Sequence, residues 1–259
     1  MISIRESPNT EPNPDLTPLD PQPAEGNAAW LARSPVQHGI VLLGGASLID
    51  FRVRVAQSQL RSDLSPSYWS ICGLLRADGS IRTVPYVLDD LSDVPQTNAV
   101  RTLSINQFDD PRQWPNVAVV RFADNMDRVE RDGDRIASRR TIVDLPALLL
   151  AWLAYAWATD AADNPIARGN GMPSAAFVEA AHSLAGIELT PGLASNASCP
   201  EAIWQAVKWW HEYYAGVVEL GAAAEARPLV PIGVYGLRQK SAQMLLPPDA
   251  PLFMPHSPQ

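Results

Sequence analysis

Prolines decide where this chain can build regular structure. Seven of the 24 fall in the first 35 residues, and the chain closes on Leu246-Pro-Pro-Asp-Ala-Pro-Leu-Phe-Met-Pro-His-Ser-Pro-Gln259. Each proline fixes φ and removes a backbone donor, so neither a helix nor a central strand is expected in such stretches. Residues 1–35 therefore read as an extended arm, residues 36–240 as the folded unit and residues 241–259 as a second, C-terminal arm. Leu252, Phe253 and Met254 give that second arm an apolar anchor suited to docking.

Between the arms, hydrophobic patterning separates strands from helices. Gly39-Ile-Val-Leu-Leu-Gly-Gly45 is a short apolar run ending in a glycine turn, the signature of a buried strand. Leu48 to Leu60 follows as a helix with Ser47 as its cap. Trp69 to Leu75 and Ile81 to Val87 are strands joined through Ala77-Asp-Gly-Ser80, and Asp-Gly tolerates the positive φ of a hairpin turn. Val117 to Phe122 is a further strand. Helices are expected over 144–159, 173–185 and 200–218, and the mixed-charge block Glu130 to Arg140 as a solvated loop or helix face. Strands come first and helices after, which makes the class α+β, with a small, mostly antiparallel sheet carrying the helix that starts at Pro173.

Composition narrows function. Hydrophobic residues make up 46% and charged residues 19%, enough apolar mass for a core. The net charge of −8 argues against nucleic acid as a partner and against attraction to anionic lipid. The longest apolar run, Leu145 to Ala158, falls short of the roughly 20 residues that span a bilayer, so no membrane span is expected. Met1 to Thr10 lacks the basic-then-apolar pattern of an export signal, which points to the cytoplasm. Two cysteines, Cys72 and Cys199, exclude a disulfide framework, and histidines 38, 182, 211 and 256 never stand at metal-ligand spacing. No cofactor and no metal are expected.

Two features carry chemistry worth weighing. Cys199 stands before Pro200 at a helix start, a place that can favour thiolate, but no base lies nearby, because His211 is about 18 Å further along the axis. Trp204, Trp209, Trp210, Tyr213 and Tyr214 crowd one helix, with 209 beside 213 and 210 beside 214. Such a face serves as core plus rim, or as a surface for a protein partner.

His38-Gly-Ile-Val-Leu42, Ser70-Ile-Cys-Gly-Leu74, Ser174-Ala-Ala-Phe-Val178 and Ala185-Gly-Ile187 follow one another in an order that resembles a circularly permuted papain-like domain of the NlpC/P60 superfamily. In that family a "G-D-I-V-L" strand precedes a "Ser-His-x-Gly-hydrophobic" strand, and a "Cys-Ser-x-Phe/Leu-Val" helix start comes later. The resemblance covers residues 38 to 215 and implies a cysteine–histidine dyad. Here the histidine position is Ile71 and the cysteine position is Ser174. Isoleucine accepts no proton, and serine without a base is a poor nucleophile. On this alignment the catalytic positions are vestigial.

The leading expectation is therefore a non-catalytic structural or protein-interaction component, a pseudoenzyme held in a larger assembly. Its contact candidates are Trp209, Trp210, Tyr213 and Tyr214 together with Leu252, Phe253 and Met254. One alternative is an amide or ester hydrolase or acyltransferase in which Ser174 attacks and His38 is the base. Another is a sensor that holds a small molecule in the groove.

Overall fold

A computed structural model of the chain describes residues 16–88, 91–122, 126–139, 143–158, 162–219 and 231–239, with backbone alone for 16 and 215–219. Its frame is one seven-stranded sheet. The strands are β1 (Leu16–Pro18), β2 (Gly39–Gly44), β3 (Ile71–Leu75), β4 (Ser80–Thr83), β5 (Arg101–Ser104), β6 (Asn116–Arg121) and β7 (Ile232–Leu237), in the spatial order β1-β7-β6-β2-β3-β4-β5. Every neighbouring pair is antiparallel except β1 with β7. The helices are α1 (Asn27–Arg33), α2 (Leu48–Ala56), α3 (Met126–Ser138), α4 (Leu145–Ala156), α5 (Pro173–Leu184) and α6 (Pro200–Glu219). The α+β class follows directly.

Alternation along the central strands divides the core into two layers. Ile40 and Leu42 of β2, Cys72 and Leu74 of β3, and Ala118 and Val120 of β6 face α2 to α6. Val41 and Leu43, Ile71 and Leu75, and Val117 and Val119 face the other way, towards Trp30 and Leu31 of α1 and towards Phe108. Successive strand residues point to opposite faces, so three central strands buried at nearly every position demand cover on both sides. On the helical side, Gly133 lets α3 approach closely: a Cβ there would stand 2.9 Å from Leu74 Cδ1 and 3.5 Å from Phe177 Cζ.

The N-terminal segment departs from the expected extended arm. Residues 16–35 contain β1 and α1, and Trp30 is completely buried. Pro18 is tolerated because, among the described strands, β1 lies at the edge and pairs on one side only. Leu19 N donates to Tyr235 O at 2.9 Å, and Trp30 Nε1 donates to Leu19 O at 2.8 Å. Gly236 leaves the room this needs, since a Cβ there would lie 2.9 Å from Pro21 and 3.1 Å from Trp30 Nε1. Proline content alone hid a strand and a helix that the tryptophan anchors. Residues 1–15 and the C-terminal arm 241–259, with Leu252, Phe253, Met254 and His256, lie outside the described residues.

Other elements refine the expected ones. The helix expected over 48–60 ends at Ala56, with a short 3-10 turn at Ser58–Leu60. The strand expected over 81–87 stops at Thr83, two residues before Pro85. The mixed-charge block 130–140 is largely helical, lying mostly within α3. No helix among the described residues is long and apolar enough to cross a membrane.

Truncating Trp30 to Ala should cost about 3–5 kcal/mol in urea unfolding, the usual cost of a large core deletion. A loss under about 1 kcal/mol, typical of surface changes, would place residues 16–35 outside the cooperative unit.

Candidate functional site

Helix α5 brings the candidate nucleophile to the sheet. Pro173 sits in its first turn, and every residue from Pro173 to His182 is buried. Ser174 Oγ accepts from Cys72 N at 3.4 Å and lies 3.9 Å from Cys72 Sγ. The strand residue opposite Ser174 is therefore Cys72. Ile71 packs in the layer with Trp30, on the other face of the sheet. The structure does not bring Ile71 and Ser174 together across a cleft. The pleat forbids it, since neighbours on a strand point to opposite faces.

Neither His38 nor His182 serves Ser174. His38 precedes β2, and β2 pairs Leu42 with Cys72, so His38 stands about 13 Å along the strand from that level. Its Nε2 instead meets Glu130 Oε1 at 2.9 Å, and Arg76 Nε lies 3.7 Å from the same oxygen. His182 is on α5 itself. Its Nδ1 lies 2.8 Å from Val178 O. A carbonyl only accepts, so the proton sits on Nδ1 and leaves Nε2 as a buried acceptor with no partner among the described residues. Burial holds this imidazole neutral and pushes its pKa down from 6.5 to about 4.

Both thiols are also sealed. Cys72 and Cys199 are free and buried. Desolvation drives the Cys72 thiol far above the ordinary range and pushes Cys199 up to about 12. Backbone donors from residues 201 and 202 favour the Cys199 thiolate, yet burial outweighs them. The helix start that could have activated this cysteine is roofed over.

A buried polar network, invisible in the sequence reading, runs beside these residues. Arg54, fully buried on α2, donates from Nε to Ser67 O at 2.7 Å and from one terminal nitrogen to Gly45 O at 3.1 Å. Ser67 Oγ donates to Glu201 Oε2 at 2.6 Å, and Arg61 reaches Glu201 Oε1 at 3.5 Å. Gln57 accepts from Glu201 N at 2.9 Å and donates to Trp69 O at 2.8 Å. Asp50 accepts from Ser47 Oγ at 2.5 Å. Further along, Glu179 of α5 accepts from Thr190 Oγ1 at 2.6 Å and Ser198 Oγ at 3.0 Å. Burial raises Asp50, Glu179 and Glu201 and lowers Arg54 to about 10. The carboxylates are spent on pinning loops 57–70 and 185–199 to helices, the use expected of buried polar groups with satisfied bonds. Nothing short of these contacts would have betrayed Arg54, since an arginine in a helical pattern reads as solvated.

Among the described residues no three His, Cys, Asp or Glu gather closely enough to hold a metal ion. The aromatic residues of α6 do come together. Trp209 and Tyr213 stack with centroids 5.3 Å apart and planes at 14°, exposed by 36% and 50%. Trp210 and Tyr214 stack at 5.7 Å and 19°, turned inward: Tyr214 is buried, and Trp210 Nε1 donates to Leu189 O at 3.4 Å. One aromatic pair closes the core while the other faces solvent. Comparison with protein-family models, curated proteins and solved structures gives no match for this chain.

His182 makes a pH test possible. Its folded-state pKa lies below the unfolded value, so the folded chain binds fewer protons. The stability tied to it is complete above 6.5 and is lost as pH falls towards about 4. His182→Leu should remove that acid limb, on the order of 3 kcal/mol over the interval. Urea midpoints of both proteins across this range measure it, and parallel pH profiles would refute it.

Proposed function

We propose that this chain is a non-catalytic structural or interaction component, and that Trp209 and Tyr213 form a contact surface for a protein partner. The observation that carries this reading is the exposed, parallel pair itself. Two large rings held against each other at the surface have little rotamer freedom left to lose, and aromatic anchors of this kind dominate binding energy at interfaces. The candidate nucleophiles support it from the other side. Ser174, Cys72 and Cys199 are all buried, His38 is engaged with Glu130, and the Nδ1 of His182 is committed to Val178 O.

The kinship with permuted papain-like domains is part of the same proposal. In its favour, the two elements carrying the motifs, α5 and β3, pack on each other. Cys72, rather than Ile71, then occupies the place facing Ser174, and the site is vestigial at both members. Reading Ser174 as a hydrolase nucleophile would require both an opening to solvent and a base other than His38 and His182. Two unpaired thiols suit a reducing compartment such as the cytoplasm.

Two measurements test the reading. A fluorophosphonate and iodoacetamide should leave Ser174, Cys72 and Cys199 of the folded protein unmodified, with both thiols reacting in urea. Stoichiometric labelling of Ser174 under native conditions would overturn the non-catalytic reading. A photo-crosslinking residue at 213 should join the chain to one partner, and the same residue at 87 should not, although Val87 is 77% exposed. With that partner purified, Trp209→Ala should weaken binding by about 2 kcal/mol, the scale of an interface hot spot. Unchanged affinity would remove the aromatic pair from the interface.

A further inference from the structure

Helix α3 sorts its charges by face. Glu130 turns towards His38 at 2.9 Å and Arg76 at 3.7 Å, and Asp134 pairs with Arg82. These acids are spent against the β3–β4 hairpin. Arg128, Arg131 and Arg135 point elsewhere: with Asp132 and with Leu184 of α5 they line an open groove of about 310 Å³. Asp132 binds Arg135 at 2.9 Å, which holds that guanidinium in place and leaves the groove with more positive than negative charge. Arg128 and Arg131 have no ion-pair partner among the described residues, on a chain whose net charge is −8.

We propose that this groove receives an acidic segment of a partner protein. The spacing selects the ligand. Positions 128, 131 and 135 are anchored over about 10 Å of helix axis, a longer span than one phosphate needs. A helical segment with carboxylates one turn apart repeats the same spacing. Leu184, 47% exposed at the groove wall, offers an apolar contact that an inorganic anion would leave unused. A long nucleic acid would meet overall repulsion from a chain whose net charge is −8. The face lies on α3 and owes nothing to the aromatic pair of α6, so either surface can fail without the other.

The test uses the full chain and a fluorescein-labelled helical peptide with glutamates at one-turn spacing beside a leucine. Fluorescence anisotropy should show saturable binding at low salt that weakens several-fold at physiological salt. Arg128→Glu with Arg131→Glu should weaken it about tenfold or more, since opposed charges become like charges. Arg112→Glu with Arg168→Glu changes the net charge equally at two other exposed positions and should leave the affinity within about twofold. Thermal melts confirm folding of both double variants. Equal loss in the two pairs, equal binding of the all-glutamine peptide, or binding of pyrophosphate without binding of the acidic peptide would each overturn the proposal.

Discussion

Enclosure of α5 is the constraint on which the other parts depend. The helix is buried from Pro173 to His182, with β3 beneath it and α3, α4 and α6 around it. A helix enclosed on every side over its first ten residues must be slim where neighbours approach, and Ala175, Ala176, Ala180 and Ala181 provide that. Gly133 answers from α3. Its polar side chains must find partners inside, and Ser174 and Glu179 do so through Cys72, Thr190 and Ser198. The loop 185–199 is tied down as a result, and with it the start of α6.

That enclosure also separates chemistry from surface. Groups that could act as nucleophiles or bases are held in a medium that disfavours their charged forms, so thiols stay protonated and His182 stays neutral. Charge and exposed aromatic area are found on the outer faces of the enclosing helices instead.

The central strands were legible because they are short and rich in apolar residues, with glycine marking the ends of β2 and the turn after β3, and α2, α4, α5 and α6 because their periodic runs are capped by Ser47, Asp144 or a first-turn proline. The unread parts share one cause: their structure comes from distant partners. β1 is a strand because β7 lies beside it, and β7 itself is interrupted by Gly233 and Gly236, the latter making room for Trp30. β5 is four residues long and half exposed, with only β4 to define it. At the site, sequence order placed Ser174 on the right helix and against the right strand, but the facing residue depends on the pleat. A displacement of one position turns Ile71 towards Trp30 and Cys72 towards Ser174.

The pairing of β1 with β7 has a consequence in time. β7 lies between the first strand and β6, with nearly the whole described chain separating Pro18 from its partner Tyr235. As the polypeptide leaves the ribosome, the central strands and α5 can assemble and α1 can dock through Asn27 on Phe108 O and Trp114 O, while β1 still lacks its partner strand. Only when residues 232–237 emerge can the edge of the sheet close. Contacts this remote in sequence form slowly. Until then β1 and the edge of β6 that β7 covers stay unpaired, and that interval, more than the finished fold, is when the chain would need a chaperone.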